Sequence, residues 1–422
     1  MNNQRLISLD VFRGFTILLM TIVNNPGSWS AVYPQLLHAE WHGCTLTDLV
    51  FPFFIFILGC AIPFSMPNKI FDKTTFLKIA VRSARIFSLG FFLFFFKKIE
   101  FFGLEGISLM FVRLAITIIV AIAFLGDFTL KTKAIATFSV LGIMLTLAFS
   151  TAMFGNVRIP GVLQRIGIVY FVIALIYLKT NRNIQITVII FLLLGYWAAM
   201  ALIPVPGIGA ANFEIATNLS AWLDSILLSG HMYIETKTWD PEGVLSTFPA
   251  IATGIIGIQI GEILNCNLTK TQISIKMIYV GIILTTIGYF WSLFFPLNKS
   301  LWSSSYVCFT AGLATLCLAF LYYIIEIANI KSWSKLFLIW GVNPMIVFFF
   351  SGIIPRVMSM IKITNPDDLS KQIDIQKYIY THGIEQNFSN PMNASLVGAL
   401  TYVAIWSFIL WIFYKQKLIF KV

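Results

Sequence analysis

Residues 46–64 read LTDLVFPFFIFILGCAIPF, an apolar run with one carboxylate near its start. About 20 apolar residues are what an α-helix needs to cross the hydrocarbon core of a bilayer. There the backbone must satisfy its hydrogen bonds internally, so only helices and closed barrels span. Working outward, runs of the same kind fill the chain at about 7–24, 76–96, 107–125, 133–152, 160–178 and 184–203. They continue at about 244–264, 274–295, 303–325, 335–354 and 395–414. Of the 422 residues 58% are hydrophobic and only 11% are charged, against about 25% charged in soluble domains. Mean hydropathy is +0.85. The reading is an all-α polytopic transmembrane helix bundle of about twelve spans, a single domain over 1–422 with membrane lipid as its surroundings. The run that begins at Leu6 has no small-residue cleavage site after it and reads as a retained helix rather than a signal peptide.

The net charge of +11 is then a topology signal, since Lys and Arg bias decides orientation. Connectors after the even-numbered runs hold Lys69, Lys73 and Lys78, then Lys131 and Lys133, Lys179 and Arg182, Lys270 and Lys276, and Lys331 and Lys335. Lys415, Lys417 and Lys421 follow the last run, while Arg82 and Arg85 open the third. The short connectors of the opposite side hold only Lys97, Lys98, Arg158 and Lys299. This asymmetry predicts N-in and C-in, with two longer extracytoplasmic loops at about 204–243 and 355–394. Loops of that length usually bind or cover something. Without a soluble basic domain, nucleic acid is excluded as a partner. The five cysteines, Cys44, Cys60, Cys266, Cys308 and Cys317, show neither disulfide nor zinc spacing, and no metal centre is expected.

An ionisable side chain inside a span is functional by default, because it costs ~2.5–3.5 kcal/mol on insertion scales. Asp10 and Arg13 sit at the start of the first run, Asn24 and Asn25 at its end, and Arg113 and Arg165 inside the fourth and sixth. Asp10 and Arg13 read equally as a local ion pair, and Arg113 as a snorkelling cation. Just before residue 46, LLHAEWHGCT gathers His38, Glu40 and His42, with Asp48 following. His38 admits four readings: an inconsequential surface residue, a metal ligand with His42 on one helical face, a proton relay, or a general base or acyl carrier. Asp48 could hold the ring in one tautomer. Spacing alone leaves the last two readings level.

The stretches RLISLDVFRGFTILLMTIVNN, HAEWHGCTLTDLVFPFFIFILG, RIPGVLQRIG, WDPEGVLSTFPAIATGIIGIQIG and LNKSLWSSSYV resemble, in the same order, the heparan-alpha-glucosaminide N-acetyltransferase family. The resemblance runs from about Arg5 to the C-terminus. It implies a multi-pass enzyme of a bacterial inner membrane that moves the acetyl group of cytoplasmic acetyl-CoA to the amine of a glucosamine-type sugar outside. The family's active histidine falls on His38, its neighbouring asparagine on Asn24 and its aspartate on Asp48. His42 stands where the lysosomal enzyme has asparagine. The pair of runs at about 107–152 is extra, that enzyme's N-terminal domain and leading helix have no counterpart here, and the interval from Asn24 to His38 is longer by about three residues.

On this reading His38 deprotonates the sugar ammonium or carries the acetyl group, and Asn24 steadies the thioester oxyanion. Arg82, Arg85 and Arg165 are expected to hold the acetyl-CoA co-substrate. Asp240 and Glu242 are expected to hold the sugar, with Asn298, Lys299 and Trp302 lining the same outer vestibule. Asp240 and Glu242 read equally as a helix cap and first-turn acid, and Trp302 as an interface anchor. A homodimer is expected as well. The rivals are an amino-sugar transporter without acyl chemistry and an O-acyltransferase of envelope polysaccharide.

Overall fold

A computed structural model describes residues 6–366 and 368–420; Arg5 and Lys421 lie outside the described residues. The helices follow the apolar runs closely. They are α1 (Ile7–Asn24), α2 (Leu46–Ser65), α3 (Lys73–Phe96), α4 (Gly106–Leu125), α5 (Leu130–Ser150), α6 (Val162–Lys179) and α7 (Arg182–Leu202). Then come the short α8 (Leu219–Leu227), α9 (Thr247–Leu264), α10 (Lys270–Trp291), α11 (Ser304–Tyr322), α12 (Lys335–Val342), α13 (Pro344–Met358), α14 (Ile375–Gly383) and α15 (Pro391–Lys415). Among the described residues eleven helices are long and apolar enough to cross a membrane, and the bent pair of α12 and α13 supplies a twelfth crossing.

Small residues set the tightest packing. A Cβ at Gly59 of α2 would overlap the Gly254 carbonyl of α9, while Cβ atoms at Gly257 and Gly261 would overlap the Phe56 and Cys60 carbonyls. Such close backbone approach is how membrane helices gain dispersion contact without a hydrophobic driving force. Gly14 of α1 likewise backs onto Phe337, and Gly341 backs onto the Asp10 carbonyl. The central α9 is 83% buried, whereas the α4 and α5 spans are only 28% and 17% buried. The α4–α5 pair therefore sits at the periphery of the bundle, against α3.

Two departures from the apolar pattern matter. The run at 335–354 is not one straight span, because α12 and α13 meet at Asn343–Pro344 with a 69° bend. Proline disfavours helical geometry in the residue before it, and Asn343 takes φ −123° and ψ 52°. The loop at 355–394 is also not irregular throughout. It carries an antiparallel hairpin, β1 (Lys362–Asn365) with β2 (Asp368–Asp374), followed by α14.

The connectors collect at two ends. At one, Gly27 N donates to Ser395 O at 3.0 Å, Gly43 N to Leu297 O at 2.7 Å, and Ile159 N to His231 O at 2.9 Å. Trp41 Nε1 donates to Phe213 O at 2.8 Å there too. This is the His38 end. At the other, the basic end, Ser8 N donates to Glu326 Oε1 at 3.1 Å and Lys69 pairs with Glu262 at 2.9 Å.

Candidate active site

At the His38 end the chain leaves α1, makes one short turn at Pro34–Leu36 and runs without helix to Thr45. His38 and His42 therefore lack the shared helical face that an i, i+4 metal pair would need. His42 instead sits exposed with its Nδ1 3.5 Å from Asn298 Nδ2, at the limit of a hydrogen bond.

His38 Nδ1 lies 2.6 Å from Asp48 Oδ1. The carboxylate is held in turn, because its Oδ2 accepts from the backbone N–H of Ala39 and of Thr45, each at 3.0 Å. Thr45 precedes α2, so Asp48 also satisfies an orphan donor at that helix start. The Tyr306 hydroxyl donates to the Asp48 carbonyl at 2.5 Å and fixes this first turn against α11. The Asp48 side chain is 1% exposed and that of His38 49% exposed. A buried carboxylate accepting from Nδ1–H leaves Nε2 as the lone-pair nitrogen, on the open side of the ring. Cys44, the other nucleophile type in this loop, is inert: burial and the Asp48 carboxylate push its thiol up to about 12, leaving almost no thiolate at neutral pH.

Two cavities approach each other through the bundle. One, about 580 Å³, opens at the His38 end between Asn24, Asn25, Trp29, Lys97, Tyr233 and Arg356. The other, about 620 Å³, opens at the basic end between Asp10, Arg13, Arg82, Gly341, Pro344 and Phe420. Their walls share three helix faces. On α1 the lining runs Asp10, Arg13, Ile17, then Met20 and Asn24; on α3 it runs Arg82, Ile86, then Leu93 and Lys97. These steps of three, four and seven hold one side of a helix. On α13 Met345 and Phe348 line the inner cavity, while Phe348, Ser351, Gly352 and Pro355 line the outer. Phe348 borders both.

The expected site residues divide. Asn24 lines the outer cavity, and among the described residues no hydrogen bond joins it to His38. Arg82 lines the inner cavity with its guanidinium 4.8 Å over the Tyr170 ring and its buried Nε unpartnered. Arg13 beside it pairs with Asp10 at 2.9 Å. Arg85 is turned away: it is 3% exposed, and it is not among the residues that line this cavity. Arg165 does not join the basic mouth at all. It is fully buried near the His38 end, donating to Gly243 O at 3.1 Å and Ser246 Oγ at 2.5 Å, with its guanidinium 5.2 Å over Trp302. The cause is direction: α6 starts at the His38 end, so a residue in its first turn cannot reach the other.

Asp240 and Glu242 are both buried and paired, Glu242 also bordering a cavity of about 360 Å³ with Arg165. Arg158 Nε and Nη2 donate to Asp240 at 2.8 and 2.6 Å, and Nη2 also to Glu242. Asp240 further accepts from Tyr233 N at 2.9 Å. Neither residue caps α9, whose N-cap is Ser246. The two carboxylates hold the Arg158 guanidinium well above its usual range, and burial raises Asp240 while the Arg158 charge keeps Glu242 low. Next to them burial pushes Asp224 up to about 6 while it accepts from Val244 N at 2.9 Å. This knot shapes the 203–246 loop. Asn298 accepts from Leu301 N at 2.8 Å, and Trp302, fully buried, donates to Thr253 at 3.1 Å. Both are framework, and only Lys299 of that trio keeps a partly open side chain. Arg158, Lys97 and Arg356 are the polar residues that spacing did not single out as a site. The seven- and four-residue steps from Arg82 to Lys97 were the available signal for one of them.

No protein-family model matches the chain. It is 25% identical to heparan-alpha-glucosaminide N-acetyltransferase of Homo sapiens and 24% identical to that of Mus musculus, each over 99% of the chain. The alignments cover 60% and 61% of those proteins, so the chain spans about three fifths of the length of the curated relatives it matches. The resemblance drawn from the motifs thus extends along the whole chain.

Proposed function

We propose that the protein is a transmembrane N-acetyltransferase. It takes the acetyl group of acetyl-CoA at the basic, cytoplasmic end and delivers it to the amine of a glucosamine-type sugar at the extracytoplasmic His38 end. The observation that carries this reading is the 2.6 Å contact of His38 Nδ1 with buried Asp48, which leaves Nε2 as the lone-pair nitrogen. The names of the relatives, the basic inner cavity and the shared lining of the two cavities support it.

At the basic end Arg82, with an unpartnered Nε, suits the phosphates of CoA, and the apolar tract from Ile17 to Phe348 suits its thin pantetheine arm. The thioester then meets the acceptor near Asn24. In the direct route His38 Nε2 takes a proton from the sugar ammonium, and the amine nitrogen bonds to the thioester carbonyl carbon. The tetrahedral oxyanion is steadied by amide donors such as that of Asn24. Collapse breaks the C–S bond, the leaving thiolate takes up the proton that His38 holds, and the nitrogen gives its surplus proton to water as the neutral amide forms. In the carrier route Nε2 itself attacks the thioester carbonyl, the C–S bond breaks and the CoA thiolate leaves and takes a proton from water; the sugar amine then takes the acetyl group as the C–Nε2 bond breaks, its two surplus protons passing to water. Asp48 stabilises the imidazolium in both.

The test supplies labelled acetyl-CoA and glucosamine to purified protein and looks for N-acetylated sugar. Rapid quench with labelled acetyl-CoA alone then separates the routes, since label retained on wild type but not on His38→Ala means a carrier. Absence of any acetylated sugar, with sugar flux in proteoliposomes instead, would replace this reading by the transporter one.

A further inference from the structure

After α15 the chain doubles back. Lys417 N donates to the Tyr414 carbonyl at 3.2 Å and Leu418 N to the Phe413 carbonyl at 2.9 Å, the bond pair of a Schellman turn. Lys417 takes the left-handed conformation that this turn requires, with φ 57°, where glycine is the usual occupant. The turn aims residues 418–420 at the break between α12 and α13, and there they are clasped. Asn343 Nδ2 donates to the Leu418 carbonyl and Asn343 Oδ1 accepts from Phe420 N, both at 2.9 Å. One amide thus serves both backbone groups that flank Ile419, as a neighbouring strand would. Asn343 is buried and stands at the N-cap of α13, where an asparagine ordinarily caps its own helix. Among the described residues it makes no such bond. Its side chain is committed to the tail.

The clasp sets two apolar side chains at the basic mouth. Ile419 and Phe420 line the inner cavity of about 620 Å³ with Asp10, Arg13 and Arg82, and the Phe420 ring lies 5.9 Å from that of Phe413. Ile419 remains half exposed, an apolar surface left open beside cations. A donor that threads a thin arm inward leaves its nucleotide at this mouth, and a nucleotide joins phosphates to a flat base. Arg82 suits the phosphates, and the tail suits the base. Resting on the transferase reading above, we infer that residues 418–420 are part of the acetyl-CoA site, a strap fastened by Asn343 that presents the Phe420 ring to the adenine. Stacking on an aromatic side chain needs only the π-face of a base, so the strap adds affinity without a polar contact. Asn343 is then a positioning residue, acting through the tail it holds.

The test compares acetyl-CoA with S-acetyl-phosphopantetheine, which lacks the adenine nucleotide, on the full-length protein in detergent with glucosamine as acceptor. Wild type should show the lower KM for acetyl-CoA. Phe420→Ala and Asn343→Ala should each raise that KM by about tenfold, the loss of one stacked base. The rise should be smaller for the truncated donor, and Phe420→Trp should keep the wild-type preference. Equal rises for both donors would reduce the tail to a structural support and overturn the strap. Ile419→Cys reads the same contact without turnover and with Phe420 in place, so it decides even where Phe420→Ala does not fold. A water-soluble maleimide should label it above the wild-type background, and acetyl-CoA should protect it better than the truncated donor does. Such protection without acetyl transfer would keep the strap and remove the transferase reading. Acetyl transfer with no protection of Ile419→Cys would remove the strap and keep the enzyme.

Discussion

At the scale of single residues, the weight rests on how little freedom Asp48 has. Its carboxylate accepts from His38 and from two backbone N–H groups, so it can orient the imidazole without itself moving. His38→Ala should lower acetyl transfer by ~10²–10⁴-fold if the ring is a general base, and by more if it is an obligatory carrier. Acetyl-CoA binding, measured separately, should persist. Asp48→Asn should fall between wild type and His38→Ala, because the ring keeps a lone pair but loses its fixed tautomer. His42→Asn should be mild, since His42 is exposed and its Nδ1 reaches Asn298 only at 3.5 Å. Near-normal transfer by His38→Ala would end this mechanism. The dyad was legible because His38 and Asp48 are ten residues apart at one helix start. Lys97 and Arg356 were not: their meeting depends on how α3 and α13 pack, and no local pattern states that.

Between residue and fold, each element decides which way its charges point. Arg82 and Arg85 lie three residues apart on α3, yet only Arg82 lines the inner cavity. Arg82→Gln should therefore weaken acetyl-CoA affinity by about tenfold, the loss of a charge-assisted contact, while Arg85→Gln should change it far less. Equal losses, read by calorimetry, would mean that the cofactor reaches both. Helix direction was equally decisive for Arg165, which belongs to the end where α6 begins. In the 203–246 loop, burial raises Asp224 to about 6. An acid raised above its unfolded value stabilises the fold below the unfolded pKa and loses that contribution as pH rises through the folded one. The melting temperature should thus decline from about pH 4 to above about 6, and Asp224→Asn should flatten that slope. An identical slope in the variant would show that another group sets it. The spanning helices were readable, because bilayer length leaves no alternative to apolar runs of this size, whereas the short α8 and α14 within the loops were not. The 69° bend at Asn343–Pro344 was missed because apolar residues on both sides hide a break whose only local sign is the proline.

Across the whole molecule, both rivals require a way through the bundle, and they differ in what has to pass. The connector asymmetry predicts that single cysteines placed in the 26–45, 204–243 and 355–394 loops react with an impermeant thiol reagent in intact cells. Labelling near Lys73 or Lys331 instead would invert the arrangement. With sidedness fixed, the wall between the cavities becomes the deciding structure. Phe348 borders both cavities, in the α13 segment that follows the bend. If a thioester arm is threaded from the basic mouth, Phe348→Trp should narrow the tract and cut the rate of acetyl transfer. Its affinity for acetyl-CoA should fall less than in Arg82→Gln, because the phosphate-holding mouth is unchanged and only the pantetheine tract is narrowed. Phe348→Ala should leave transfer largely intact and create no net sugar flux, since an acyl arm needs a slot rather than an open pore. A carrier would behave oppositely: widening the constriction would raise sugar leak across proteoliposomes, and acetyl-CoA would have no bearing on it. Flux that appears in Phe348→Ala without acetylation would favour the transporter, whereas a selective fall in transfer rate in Phe348→Trp would place the acetyl group in that tract.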